Sequence, residues 1–346
     1  MGQMEIGEPK RILCIRLSAI GDVILASFLL RLLRNRFPKV EIDFLVKEHL
    51  ATLIQRNPRV DRVISFDPRK GTRELFHLVR KIRIRQYDAV IDLQRNFRSI
   101  LITLLSKSRK RFRSQLFRWE RFWMVHFHRN LYQEVKPVPL RYFEAVSSWG
   151  IKDDGLGLEL CLDSSAEHSV ESLFKVSRVM KNEKIVLLAP GAGRKTKRWP
   201  AERYGEVGDY FSKKGKRVIL IGGEKDRICS EEVMQTMQFP SLDFTGQLSL
   251  METAALVDKS ILLVTNDTGV MHMAAALNRN VVSIFGPTTR HFGFMPFRCR
   301  SVVVEKEMPC RPCSYHGTET CPKGHFRCML DIDSSRVIRA AETLLN

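Results

Sequence analysis

The chain has 346 residues, 44% hydrophobic and 27% charged, and its 57 Lys and Arg against 38 Asp and Glu leave a net charge of +19. That length exceeds a single core and predicts two domains, while no stretch approaches the roughly 18 apolar residues of a membrane span or the apolar core of an export signal. A cytoplasmic protein is expected, drawn by its charge to nucleic acid or to an acidic membrane, two partners that composition alone does not separate.

From Arg11 the pattern alternates strand and helix. Arg11 to Leu17 reads as an apolar strand, Val23 to Leu33 as a helix, Glu41 to Val46 and Val60 to Phe66 as strands, Thr72 to Arg83 as a helix and Ala89 to Leu93 as a buried strand. Such alternation predicts a doubly wound parallel sheet. The first turn, Ser18-Ala19-Ile20-Gly21-Asp22, has one glycine and fails the G-x-G-x-x-G dinucleotide fingerprint. Between Lys107 and Arg129 eight Lys or Arg face one acid, Glu120, with Phe112, Phe117, Trp119, Phe122, Trp123 and Phe127 interleaved. Leu116, Trp119, Trp123 and Phe127 fall at helical spacing with Arg118 and Arg121 off the stripe. Two readings fit: an amphipathic helix lying in a headgroup layer, or a core-packed helix with a solvated face. Leu140 to Trp149 reads as a helix, and the polar stretch from Gly150 to about Asn182 holds the domain boundary. A second alternating series follows: a strand at Lys184 to Ala189, a helix from Ala201, a strand at Arg217 to Ile221, and helices near Ser230 to Met237 and Leu250 to Val257. Ile261 to Val264 is then a strand, Val270 to Leu277 a helix, Val281 to Phe285 a strand and Ser335 to Leu345 the last helix.

Three strand ends of the second half carry polar loops: Pro190-Gly191-Ala192 running on to Lys197-Arg198-Trp199-Pro200, then Gly222-Gly223-Glu224, then Asn266-Asp267-Thr268-Gly269. In parallel strands all three share one sheet edge, where ligands bind. The first offers glycines beside cations, as a pyrophosphate requires, or is a solvated basic loop. Glu224 is placed to accept ribose hydroxyls, or is an exposed turn. The N–H groups of Thr268 and Gly269 at a helix start suit a phosphate, whereas Asp267 repels one and is either the helix N-cap or a group aimed elsewhere. Asp22 opens a helix in the first half, as a cap or as a general base.

The stretches Arg16-Leu17-Ser18-Ala19-Ile20-Gly21-Asp22-Val23, Pro190-Gly191-Ala192 with Lys197-Arg198-Trp199-Pro200, and Thr265-Asn266-Asp267-Thr268-Gly269-Val270-Met271-His272 followed by Phe285-Gly286-Pro287 resemble glycosyltransferase family 9. That family contains the ADP-heptose:lipopolysaccharide heptosyltransferases. Three motifs in order, spread over nearly the whole chain, make the resemblance specific. The wording is more similar to the second heptosyltransferase than to the first, which has hydroxyl residues where this chain has Ala192 and Gly193. The resemblance implies an α/β fold of the GT-B type, two Rossmann-like doubly wound parallel-sheet domains facing a cleft. Residues 1–165 would bind the acceptor, and 166–346 the nucleotide sugar, with a Cys-rich segment at 310–328 and a C-terminal helix. It also implies inverting transfer without a catalytic metal. Carried over residue by residue, Asp22 is the base, Lys197 meets the diphosphate, Glu224 takes the ribose, and Asp267 with His272 lies at the donor sugar and phosphate. Gly191, Ala192, Thr268 and Gly269 complete the donor site, and Asp22, Lys197 and Asp267 form the catalytic set.

The implied reaction moves heptose from ADP-L-glycero-D-manno-heptose to the lipopolysaccharide inner core, with heptosyl-Kdo2-lipid A as acceptor; the alternatives are a family 9 transferase using another nucleotide sugar or acceptor, or a non-catalytic basic nucleic-acid-binding protein. Lipid A and Kdo are anionic and lie at the cytoplasmic face of the inner membrane, so they account for the charge without nucleic acid. The enzyme is then peripheral on that face, with Arg118, Trp119, Arg121 and Trp123 as the membrane or acceptor surface. Cys310, Cys313, Cys321 and Cys328 have spacing suited to a structural zinc site, although the last pair is wide, and buried reduced thiols are the other reading.

Overall fold

The computed structural model describes residues 8–346, so the first seven residues of the expected 1–165 domain lie outside it. Two compact units are present. The first runs to Leu116 and resumes at Val138–Cys161; the second comprises Phe117–Pro137 and Leu162–Asn346.

In the first unit β1 (Arg11–Ile15), α1 (Ile20–Arg36), β2 (Glu41–Lys47), α2 (Thr52–Gln55), β3 (Arg62–Phe66), α3 (Gly71–Arg85), β4 (Ala89–Asp92), α4 (Phe97–Leu105) and β5 (Lys110–Arg113) follow one another. All strands are parallel, in the order β3-β2-β1-β4-β5. Leu75, Leu78, Val79 and Ile82 of α3 and Ile102 of α4 pack with Leu13, Ile15, Leu45 and Val90 of the strands in one cluster. The step from β1 to β2 runs opposite to the step from β3 to β4, and right-handed crossovers therefore place α1 on the other face. There α1 is buried continuously from Val23 to Leu33, which explains why its sequence is apolar nearly all round. The strand β5, Lys-Arg-Phe-Arg, carries no apolar run and is not legible as a strand; an edge position tolerates its exposed cations.

After α5 (Arg118–Phe127) and α6 (Val138–Glu144), which packs on α1, comes α7 (Ser164–Val176). This helix begins at Asp163, whose carboxylate accepts the Ser165 N–H, and it lies inside the stretch expected to be a polar boundary. The remaining elements are β6 (Ile185–Ala189), α8 (Ala201–Lys213), β7 (Arg217–Leu220), α9 (Arg227–Thr236), β8 (Leu242–Asp243), α10 (Leu250–Asp258), β9 (Ser260–Asn266), α11 (Gly269–Ala276), β10 (Val281–Phe285), β11 (Ser301–Glu305), α12 (Arg327–Leu330) and α13 (Ser334–Leu345). Six parallel strands run β11-β10-β9-β6-β7-β8. Val337, Ala341 and Leu344 of α13 close the core formed by Val186, Leu188, Val264, Val282 and Ile284. No described helix is long and apolar enough to cross a membrane.

Candidate active site

In the first unit the strand order reverses between β1 and β4, so the loops at their carboxyl ends line the crevice where open parallel sheets bind ligands. Gln94, after β4, accepts the N–H groups of Leu17 (2.9 Å) and Ser18 (3.0 Å) after β1 and fastens the two loops together. Arg16 is only 8% exposed; it donates to the Leu93 carbonyl and pairs with Asp22 Oδ1 at 2.5 Å. The Arg16 guanidinium also lies 5.8 Å from the centre of the Tyr142 ring, and the Tyr142 hydroxyl donates to the same Asp22 oxygen at 3.5 Å. Burial pushes the Tyr142 hydroxyl well above its ordinary range, so it stays a donor. Asp22 is not an N-cap. The N-cap is Ala19, and the Asp22 carboxylate reaches back from the third position of α1 to accept its N–H at 3.1 Å.

In the second unit the order reverses between β6 and β9. Asn266 bridges the two loops, donating to the Pro190 carbonyl at 2.8 Å and accepting the Trp199 N–H at 3.1 Å. Across this crevice Lys197 Nζ meets Asp267 Oδ2 at 2.8 Å, and the Thr288 hydroxyl donates to the same oxygen at 2.9 Å. The N-cap of α11 is Thr268, so the cap reading of Asp267 gives way to one in which its carboxylate points at Lys197. The backbone N–H groups at the start of α11, with Gly269 as its first residue, lie immediately beside this pair.

Each loop is held by a contact that spacing does not disclose. The Lys195–Lys197 turn is clasped by the Cys-rich segment: the Thr196 N–H donates to the Thr318 carbonyl at 3.1 Å, and the Thr318 N–H donates to the Thr196 hydroxyl at 2.7 Å. A Cβ on Gly317, whose φ is +84°, would come within 2.8 Å of Lys197 Cγ. Of the two glycines expected to serve a phosphate loop, Gly191 makes room for Asp226, whereas Gly193 stands in open space. A Cβ on Gly191 would lie 2.2 Å from its carboxyl carbon, and Gly223 donates its N–H to Asp226 Oδ2 at 2.9 Å. Glu224 stands exposed after β7, and its hydrogen bond from Arg227 (2.7 Å) holds the carboxyl below the usual range. Ala192 and His272 are buried, the histidine in the first turn of α11.

The helix α5, read from the sequence either as a headgroup-layer helix or as a core-packed one, has features of both. Trp119 is 72% exposed, but the Arg121 guanidinium sits 5.0 Å from the Phe292 ring and 5.5 Å from the Phe294 ring, and Met124 is buried. Arg121 is therefore a packing residue of the second unit and not a headgroup cation. Trp123, half-buried, stacks on Phe127 at 4.7 Å. All four cysteines are free thiols, three in the loop before α12 and Cys328 in α12 itself, with Cys310 Sγ 3.7 Å from His325 Nε2. Burial raises the Cys313 thiol and pushes Cys328 up to about 11. Among the described residues no three of His, Cys, Asp and Glu are placed to hold a metal ion.

The sequence model described as glycosyltransferase family 9 (heptosyltransferase) matches residues 75–323. This chain belongs to glycosyltransferase family 9. The family 9 enzyme is 25% identical to lipooligosaccharide heptosyltransferase 2 of Haemophilus ducreyi, over 97% of this chain and 99% of that one. Its fold is that of the family 9 glycosyl transferase from Veillonella parvula (TM-score 0.84, 24% identity, 97% of each chain covered). It also superposes on the Escherichia coli ADP-heptose lps heptosyltransferase II (TM-score 0.74, 23% identity, 97% of this chain and 98% of that one). The GT-B architecture of two Rossmann-like parallel sheets is thus established for this transferase. Site residues given no role in the sequence reading are Arg16, Tyr142, Asp226, Thr288 and Thr318; Arg16 opens the first motif, Thr288 directly follows Phe285-Gly286-Pro287 and Asp226 lies two residues past Glu224, whereas Tyr142 and Thr318 lie away from every motif.

Proposed function

We propose that this family 9 enzyme transfers heptose from ADP-L-glycero-D-manno-heptose to heptosyl-Kdo2-lipid A in the inner core of lipopolysaccharide. The observation that carries the reading is the pair of switch-point carboxylates, Asp22 after β1 and Asp267 after β9, each held by its own cation. Likeness to proteins named heptosyltransferase 2 supports the choice of donor and acceptor. In this reading Asp22 takes the proton of the acceptor hydroxyl as its oxygen attacks the anomeric carbon from the side opposite ADP. The bond to ADP breaks with its electron pair on the phosphate oxygen. Lys197 and the start of α11 stabilise that charge, leaving Asp267 to the sugar hydroxyls. Gly191, Ala192, Thr268, Gly269 and His272 line the donor, and Glu224 accepts from the ribose.

Catalysis needs no metal in this proposal. Zinc on Cys310, Cys313, Cys321 and Cys328 would be a structural brace, supported by four free thiols in the segment whose Thr318 clasps the Lys197 turn, and it requires them to draw closer than they stand. The acceptor places the enzyme at the cytoplasmic surface of the inner membrane. The test is transfer from ADP-heptose and from other nucleotide sugars to Kdo2-lipid A with and without a first heptose. Product only with ADP-heptose and the heptosylated acceptor is expected. Product with the unheptosylated acceptor alone, or with another nucleotide sugar alone, overturns the assignment.

A further inference from the structure

We propose that the outer face of the α3–α4 layer in the first unit docks the enzyme on an anionic lipid bilayer; this rests on the membrane-held acceptor of the proposed function. At 100° per residue, Arg73, Phe76, His77, Arg80 and Ile84 form one stripe of α3, opposite the buried Leu75, Leu78, Val79 and Ile82. Phe76 is 67% and Ile84 72% exposed. On the adjoining α4, Phe97 (80%) and Leu104 (48%) stand out on the face opposite Ser99, Ile102 and Thr103. Both helices cover the same sheet face, so their outer sides form one surface.

Cations ring these apolar side chains. Residues 69–113 hold fourteen Lys or Arg against three acids, a net +11 out of the +19 of the whole chain. Arg73, Arg80, Lys81, Arg83 and Arg98 are exposed and pair with no carboxylate among the described residues. Beside Ile84 a cavity of about 620 Å³ is lined by Arg11, Arg62, Lys81, Arg85 and Tyr87; Arg11 and Arg85 are paired with Glu41 and Asp43, which leaves Arg62 and Lys81 to meet a phosphate-bearing headgroup. Exposed apolar side chains among unpaired cations are complementary to a surface with acyl chains below and anionic headgroups above. A nucleic acid would satisfy the cations but leave Ile84 and Leu104 in water. On α5, by contrast, Arg121 is turned inward against Phe292 and Phe294, so that helix lacks the full cationic rim.

The experiment is flotation of the full chain with phosphatidylethanolamine–phosphatidylglycerol vesicles, against phosphatidylcholine vesicles and a polyuridine RNA. Two variants are compared with wild type: Phe76→Ser/Ile84→Ser/Phe97→Ser, and Arg73→Gln/Arg80→Gln/Arg83→Gln/Arg98→Gln. The cation variant should lose roughly 100-fold or more in binding to anionic vesicles, each interfacial cation being worth about fivefold. The apolar variant should lose roughly tenfold and retain any RNA binding. Both should keep the wild-type circular-dichroism spectrum and Tm, which shows that the first unit still folds. Wild-type flotation of both variants overturns the proposal, as does an apolar variant that floats normally while the cation variant loses RNA and vesicles alike. These outcomes need no turnover, so failure of the transfer assay with intact vesicle binding overturns the acceptor assignment and not the docking face.

Discussion

The two sheets each place one carboxylate at the switch point of a parallel array, and they hold it differently. Asp22 is paired with Arg16, which is itself buried, bonded to a backbone carbonyl and packed on Tyr142. Asp267 is paired with Lys197, a flexible ammonium on a short turn clasped from outside by Thr318. A guanidinium fixed at several points cannot be given up to a ligand without leaving a buried charge unpaired, whereas a lysine on a loop can exchange its carboxylate for a phosphate. In the proposed mechanism the contrast suits a carboxylate held and aimed in one unit, and a cation available to a leaving group in the other.

The largest expected effect tests the first half of that contrast. Asp22→Asn should lower turnover by roughly 10² to 10⁴ while ADP-heptose still binds, because the proposed donor residues lie in the second unit; near-normal turnover would reduce Asp22 to a holder of the α1 terminus. Next, Lys197→Ala should lower kcat/KM by about 10² or more if charge develops at the diphosphate in the transition state. Unchanged ADP affinity in both Lys197→Ala and Glu224→Gln would show that the donor binds on other loops. A smaller effect sharpens the comparison. Thr318→Val keeps the Thr318 N–H and C=O bonds to Thr196 but removes its side-chain hydroxyl, which donates to Thr320 and contacts Thr196. A loss of about 1 kcal/mol in loop order should raise the donor KM roughly fivefold with little change in kcat. A kcat effect as large as that of Lys197→Ala would mean Thr318 touches the reacting groups. The smallest effect concerns the cysteines. If zinc braces their loop, elemental analysis should find about one metal per chain and strong chelator should lower Tm before activity; metal-free protein with an unchanged Tm would leave four packed thiols.

Much of the framework behind this contrast is legible in the residue pattern. The strands at Arg11–Ile15 and Val281–Phe285 and the helix from Ala201 stand out because buried parallel strands are apolar runs and helices repeat their apolar residues every third or fourth position. Elements without that pattern escape it: β5 is mostly cationic, and α7 lies in a stretch rich in serine and acid. Aromatic content does not fix where a helix packs. The Trp-rich α5 turns Arg121 inward yet exposes Trp119, Phe122 and Phe127, while the plainer α3 and α4 expose Phe76 and Phe97.

By itself the sequence determines the alternation, the loops at the strand ends and the family, because periodicity and short motifs are local properties of the chain. Only the tertiary structure decides what each charged side chain meets. Tyr142 reaches Asp22 across 120 residues and Thr318 reaches Thr196 across 122, and neither carries a local signal of its partner. Whether a carboxylate caps a helix or binds a cation is set by the chain that packs beside it. At Asp22 the fold supplies both: the Ala19 N–H at the α1 N-cap meets Oδ2 and Arg16 meets Oδ1.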